Sequence, residues 1–169
     1  MSTAIDSVII LPHDASLGEV LPQVIGWLHE NSARFEHETD VIFGDSGEHE
    51  REPILASTEQ EALSSIAGWP GLGGTSWWVA GCAVFIFFHG SSDGLVGCVT
   101  LSTSERAYAA RSEPDPVFER MTRDLHRRLS AKRTFSDSGL LSPSSWLGAA
   151  VEQARADRFE GTYALDLRG

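Results

Sequence analysis

The chain has 169 residues, 41% of them apolar and 22% charged, and a formal net charge of −11 at neutral pH. A chain this long buries about 70% of its unfolded surface without staples, low-complexity tracts are absent, and two cysteines make no disulfide framework, which excludes a disordered chain and a disulfide scaffold. No stretch approaches the roughly 20 apolar residues of a membrane helix, and no basic segment precedes an apolar one at the N-terminus, so one domain over 1–169 in the cytoplasm is expected.

Ser7-Val8-Ile9-Ile10-Leu11 is an apolar run ended by Pro12 and predicts a buried first strand. Ser16 opens a capping box with Glu19. Leu17, Val20, Leu21, Val24, Ile25 or Trp27, and Leu28 follow at helical spacing, predicting a helix that ends near Asn31 with Pro22 in its first turns.

From Phe35 to Phe43 the sequence alternates. As one strand it puts Phe35, His37, Thr39, Val41 and Phe43 on one face and Glu36, Glu38 and Asp40 on the other. Three carboxylates in a row require a wet face, and such a strand suits a sheet edge where charge prevents mispairing. An acidic, turn-rich loop from Gly44 to Pro53 follows, carrying Asp45, Glu48, Glu50 and Glu52.

Ile54-Leu55-Ala56 reads as a short strand, and Thr58 with Glu61 as a second capping box ahead of Ala62, Leu63, Ile66 and Ala67. Gly68 to Gly74 reads as a loop. Trp77 to Phe88 then runs without a charge or a side-chain amide. Its aromatic and β-branched content predicts the central strand of a sheet, covered on both faces.

Asp93-Gly94 between Trp77–Phe88 and Leu95–Leu101 is a hairpin signal. With those two as the turn, paired residue numbers add to 187, so Cys82 faces Glu105 and not Cys98. Asp115-Pro116 reads as a helix start. Phe118, Met121, Leu125 and Leu129 form its buried stripe, with Arg120, Arg123, Arg127 and Arg128 off it. A Ser/Gly loop, a last helix from Ser142-Pro143 through Ala154, and a final strand from Gly161 to Leu167 complete the chain. The fold class expected is α+β, a single layered domain with a mixed or antiparallel sheet of about five or six strands, about four helices, and Trp77–Phe88 as the central strand.

The motifs that carry chemistry elsewhere lack their context here. Gly90-Ser91-Ser92-Asp93-Gly94 has the letters of a nucleophile elbow, but Leu95-Val96-Gly97-Cys98-Val99 continues as strand where the elbow needs a helix. No Gly-Lys-Ser/Thr accompanies the glycines of Gly68–Gly74. His37, Glu38, Asp40, Asp45, Glu48, His49, Glu50 and Glu52 match no recurrent metal spacing. No cofactor or metal is expected.

Charge is unevenly distributed. Residues 1–104 hold fourteen carboxylates against Arg34 and Arg51, whereas 105–133 hold eight basic residues against five acidic ones. The acidic part repels phosphate, so neither nucleic acid nor an anionic membrane is expected as partner, and a basic protein is. On helical spacing, the arginines of 120–128 pair with Glu119 and Asp124.

The hairpin Val79–Thr103, with its apolar strand, Asp-Gly turn and Leu95-Val96-Gly97, resembles the middle strands of the GNAT N-acetyltransferases. That family's pyrophosphate loop, Arg/Gln-x-x-Gly-x-Gly/Ala, has no counterpart where the next helix opens on Glu113-Pro114-Asp115-Pro116, so coenzyme A binding is not carried over. In size, acidity and absence of a catalytic motif, the chain resembles as a type the small acidic α+β immunity proteins that bacteria make against toxins. That resemblance implies charge-complementary binding of a basic toxin. The contact surface expected is Glu36, Glu38, Asp40, Asp45, Glu48, Glu50 and Glu52. The alternative is a small acyltransferase- or hydrolase-like enzyme with its site at the sheet rim around His89, Ser91 and Ser92.

Overall fold

A computed structural model describes residues 4–46, 49–90, 94–104, 117–141 and 145–169. One antiparallel sheet runs through them, built from β1 (Ala4–Ala15), β2 (Thr39–Phe43), β3 (Ile54–Ala56), β4 (Gly73–Val79), β5 (Cys82–Gly90), β6 (Val96–Ser104), β7 (Arg133–Ser138) and β8 (Leu165–Arg168) in the spatial order β3-β2-β4-β5-β6-β1-β7-β8. Four helices accompany it among the described residues: α1 (Leu17–Glu30), α2 (Glu59–Ala67), α3 (Val117–Arg128) and α4 (Leu147–Arg155). The α+β class stands, with more strands than expected.

Trp77–Phe88 is not one strand. Val79 pairs with Cys82 across a two-residue turn, Ala80-Gly81, in which both residues have positive φ, 50° and 82°. Such a turn matches the twist of a hairpin, and glycine takes its second position at little cost. The apolar run therefore supplies β4 and β5, and β5 lies in the middle of the sheet. Its burial alternates: Val84, Ile86 and Phe88 are buried, while Phe85 and Phe87 on the other side are half-buried. Only one face of the central strand is fully covered.

That covered face holds the larger core. Trp27 and Leu28 of α1, Leu63 and Ile66 of α2, and Met121 and Leu125 of α3 pack on Ile9, Val41, Trp77, Ile86, Phe88, Val99 and Leu101. The opposite face carries a smaller cluster at one end, where Leu147 and Ala154 of α4 meet Val8, Ile10, Cys98 and Phe135. The Phe135 ring stacks there on Tyr163 and Phe159 at 4.4 and 5.0 Å.

Two helix starts follow the sequence; the expected starts at Asp115-Pro116 and Ser142-Pro143 lie outside the described residues, and α4 begins at Leu147 without a side-chain cap. Ser16 Oγ accepts from Glu19 N–H, and Thr58 Oγ1 from Glu61 N–H, while the Glu61 carboxylate reaches back to Ser57 N–H. From Val84↔Thr103 to His89↔Cys98 the β5–β6 register has the expected sum and then slips at Gly90↔Val96; Asp93 of the expected turn and Glu105 opposite Cys82 lie outside the described residues, and Cys82 and Cys98 are not bridged. Several strand bounds differ from expectation: β6 runs over Val96–Ser104 rather than Leu95–Leu101, and the last strand over Leu165–Arg168 rather than Gly161–Leu167. β1 continues past Pro12, with its register to β6 slipping between Ile10 and Ala15, so proline falls where the ladder is already broken. Gly73 and Gly74 belong to β4 rather than to a loop. β7 occupies the segment read as a Ser/Gly loop; its buried Thr134 and Ser136 hide a strand from hydropathy.

Candidate protein-binding surface

The acidic segment lies beside the β3 edge of the sheet. Arg34 pairs with Trp78, and pairing resumes only at Val41↔Thr75, so four residues more than the register needs are looped out. The loop closes on itself: Thr39 Oγ1 donates to the Glu36 carbonyl at 2.6 Å, and Glu38 takes a φ of 60°. The expected strand over Phe35–Phe43 is thus corrected to Thr39–Phe43, and Glu36, Glu38 and Asp40 do not form one straight row. The reason is local: His37-Glu38 turns, and a turn ends the alternation that placed all three on one face. β2 is also one strand in from the edge, which β3 occupies.

The carboxylates are nonetheless presented to solvent. Glu36, Glu38, Asp40, Asp45, Glu50 and Glu52 are all exposed, and Glu48 lies outside the described residues. Among the described residues no arginine or lysine pairs with any of the six; Glu38 has the His37 ring at 3.9 Å. Arg51, the cation nearest in sequence, is engaged elsewhere, with its guanidinium 4.0 Å from the Phe43 ring centre. Trp69 ties down the start of the loop by donating its indole N–H to the Gly44 carbonyl at 2.6 Å.

Three of the four arginines of the basic helix are paired. On α3, Arg123 pairs with Glu119 at 2.8 Å, Arg127 with Asp124, and Arg128 with Glu30 of α1. The expected partners Glu119 and Asp124 are those observed, and Glu30 is an addition that only the α1–α3 packing supplies.

Beside the acidic loop, the second face of the sheet is open. Trp78 is 41% exposed, Ile42 36% and Leu55 60%, and Phe85 and Phe87 are half-buried on the same side. Phe85, Phe87 and His89 form a ladder along β5, with ring centres 6.2 and 4.5 Å apart. Sequence reasoning missed these residues by placing them inside a strand covered on both sides. The readable signal was Ala80-Gly81, since a turn there assigns alternate residues to opposite faces.

The ladder ends in a cleft of about 410 Å³ between β5, β6, the irregular end of β1 and α4, lined by His89, Cys98, Asp14, Val151, Glu152 and Arg155 among others. His89 Nε2 shares a hydrogen bond of 2.8 Å with Thr100 Oγ1, and burial pushes its pKa down to about 4. Burial pushes the Cys98 thiol up to about 12, against the pull of the Arg155 charge. At neutral pH the thiol is protonated and the imidazole is a weak base, so neither is activated as nucleophilic catalysis requires. Ser91 and Ser92 lie outside the described residues. Among the described residues no three His, Cys, Asp or Glu side chains converge on a metal position, and no helix is long and apolar enough to cross a membrane.

No known protein family matches the chain, and no curated protein matches it. Among solved structures, the Pseudomonas aeruginosa T6SS protein PA0821 is similar at 12% identity with a TM-score of 0.46, over 86% of this chain and 45% of that one. The chain therefore spans less than half the length of that structure.

Proposed function

We propose that this protein is a bacterial immunity protein that acts in the cytoplasm by binding a basic toxin through the acidic segment Glu36–Glu52. The observation that carries the reading is the set of six exposed carboxylates that no arginine or lysine pairs with among the described residues, in a molecule where Arg123, Arg127 and Arg128 of the basic helix already have carboxylate partners. Unpaired charge of one sign on one flank raises the local concentration of an oppositely charged partner and speeds encounter, and salt screens the effect. It also blocks a surface that would otherwise hold phosphate, as neutralising a basic nuclease requires. The test begins with recovery of the partner from the host lysate at low salt and its purification. Lysine at Glu36, Glu38 and Asp40 together is expected to slow association at least tenfold, with wild-type association falling steeply as salt rises. An unchanged rate in the triple variant removes this surface from the interface.

A second reading, an enzyme site at the His89 rim, is favoured by the cleft alone. Alanine at His89, Ser91 and Ser92 tests it: loss of a measured activity with the fold intact supports an enzyme.

A further inference from the structure

The open half of the second sheet face has the composition of an interface core. Along β4 and β5 the pairs Trp78↔Ala83 and Ser76↔Phe85 alternate a large ring with a small residue on that face. Phe85 in turn faces Ser102 of β6. The result is a hollow of about 500 Å³ with Trp78 and Phe85 as walls and Ser76, Ala83, Ser102 and Ser104 along its floor. Interface cores are enriched in tryptophan and phenylalanine and ringed by polar groups, and such residues supply most of the binding energy.

Charge selects the occupant. Asp40 lies on this same face, opposite Leu55 and, one step from the Val41↔Thr75 pair, beside Ser76. Glu36 and Glu38 loop out just beyond Arg34, which pairs with Trp78. A second copy of this chain, itself at −11, would bring these carboxylates against one another. A protein carrying an aromatic or aliphatic side chain among lysines and arginines meets both the hollow and its acidic border.

We infer that the open face of β4 and β5 is the anchor site for the basic partner, which inserts an apolar side chain between Trp78 and Phe85 while its cations engage Asp40, Glu36 and Glu38. The inference rests on the reading of the acidic segment as partner-binding and adds to it where the bound complex is held. The carboxylates set the rate of encounter; the rings set the residence time.

Two fluorescein-labelled peptides of seven residues test it, both lysine- and arginine-rich, one with a central tryptophan and one with glycine there. Anisotropy titration of the wild-type protein at low salt is expected to show the tryptophan peptide binding at least tenfold tighter. Trp78→Ala, and separately Phe85→Ser, should cut that preference below threefold and leave the glycine peptide's affinity unchanged. Lysine at Glu36, Glu38 and Asp40 should weaken both peptides. Trp78 is exposed, so its variant keeps the core. Equal affinity of the two peptides for wild type, or an unchanged preference in Trp78→Ala, overturns the anchor site and leaves the charge reading standing. Failure of both peptides to bind overturns both.

Discussion

Trp77 and Trp78 are adjacent in the chain and lie on opposite faces of β4, one fully buried and the other 41% exposed. Trp77 sits in the large core with the Phe35 ring edge-on at 5.9 Å. Among the described residues its indole N–H has no hydrogen-bond partner. Trp77→Ala is expected to cost about 3–5 kcal/mol in urea unfolding, and Trp78→Ala less than about 1 kcal/mol. Trp77→Phe should fall well below Trp77→Ala, because it keeps ring volume and removes an unsatisfied donor.

Gly74 lets the Phe87 ring lie across the sheet. A Cβ at Gly74 would stand 2.9 Å from Phe87 Cδ2 and closer still to the Ile86 carbonyl oxygen, at 2.3 Å. Gly74→Ala is therefore expected to destabilise by about 1–3 kcal/mol, as overpacking does. Proton chemical shifts of Phe87 and of its neighbour His89, 4.5 Å away ring to ring, should move with it.

His89 makes stability depend on pH. Its pKa is about 4 in the folded protein against 6.5 as the ordinary value, so between those limits the unfolded chain binds the extra proton. Stability is full above pH 6.5, falls as pH drops toward 4, and levels off below, with a total of about 3 kcal/mol at most from this residue. His126, also lowered by burial, acts in the same direction. Chemical denaturation of wild type and His89→Gln across pH 4–8 should show a shallower acid loss in the variant. Parallel curves would refute this account.

Arg133 and Asp166 fasten the outermost strand. The guanidinium grips the carboxylate at 3.0 and 2.7 Å, also donates to the Phe159 carbonyl, and lies 4.9 Å from the Phe159 ring centre. Asp166→Ala leaves a buried arginine unpaired and should cost about 3 kcal/mol. The double change Arg133→Met with Asp166→Leu should recover most of it, because apolar replacement removes the stranded charge. Hydrogen exchange in β8 should quicken in the single variant and return toward wild type in the double.

Cys98 should resist alkylation in the native protein. Its thiol is buried and protonated at neutral pH, so a thiol reagent reaches it only on unfolding, and the reaction rate should follow added denaturant.

The sequence by itself determined the α+β class, both capping boxes, the β5–β6 register and the placing of negative charge in the first part of the chain. Each of these depends on residues near one another in sequence: a hydroxyl three positions before an N–H, an Asp-Gly between strands, a run of carboxylates. Tertiary structure decided the rest. Whether Trp78 and Phe85 face core or solvent depended on the Ala80-Gly81 turn and on which helices reached which face. Among the described residues three helices cover one side of the sheet, and α4 covers the β1–β6–β7 end of the other. Hydropathy cannot separate these cases, because an apolar side chain has the same transfer free energy on either face; only the neighbours that remove its water distinguish a core from a docking site.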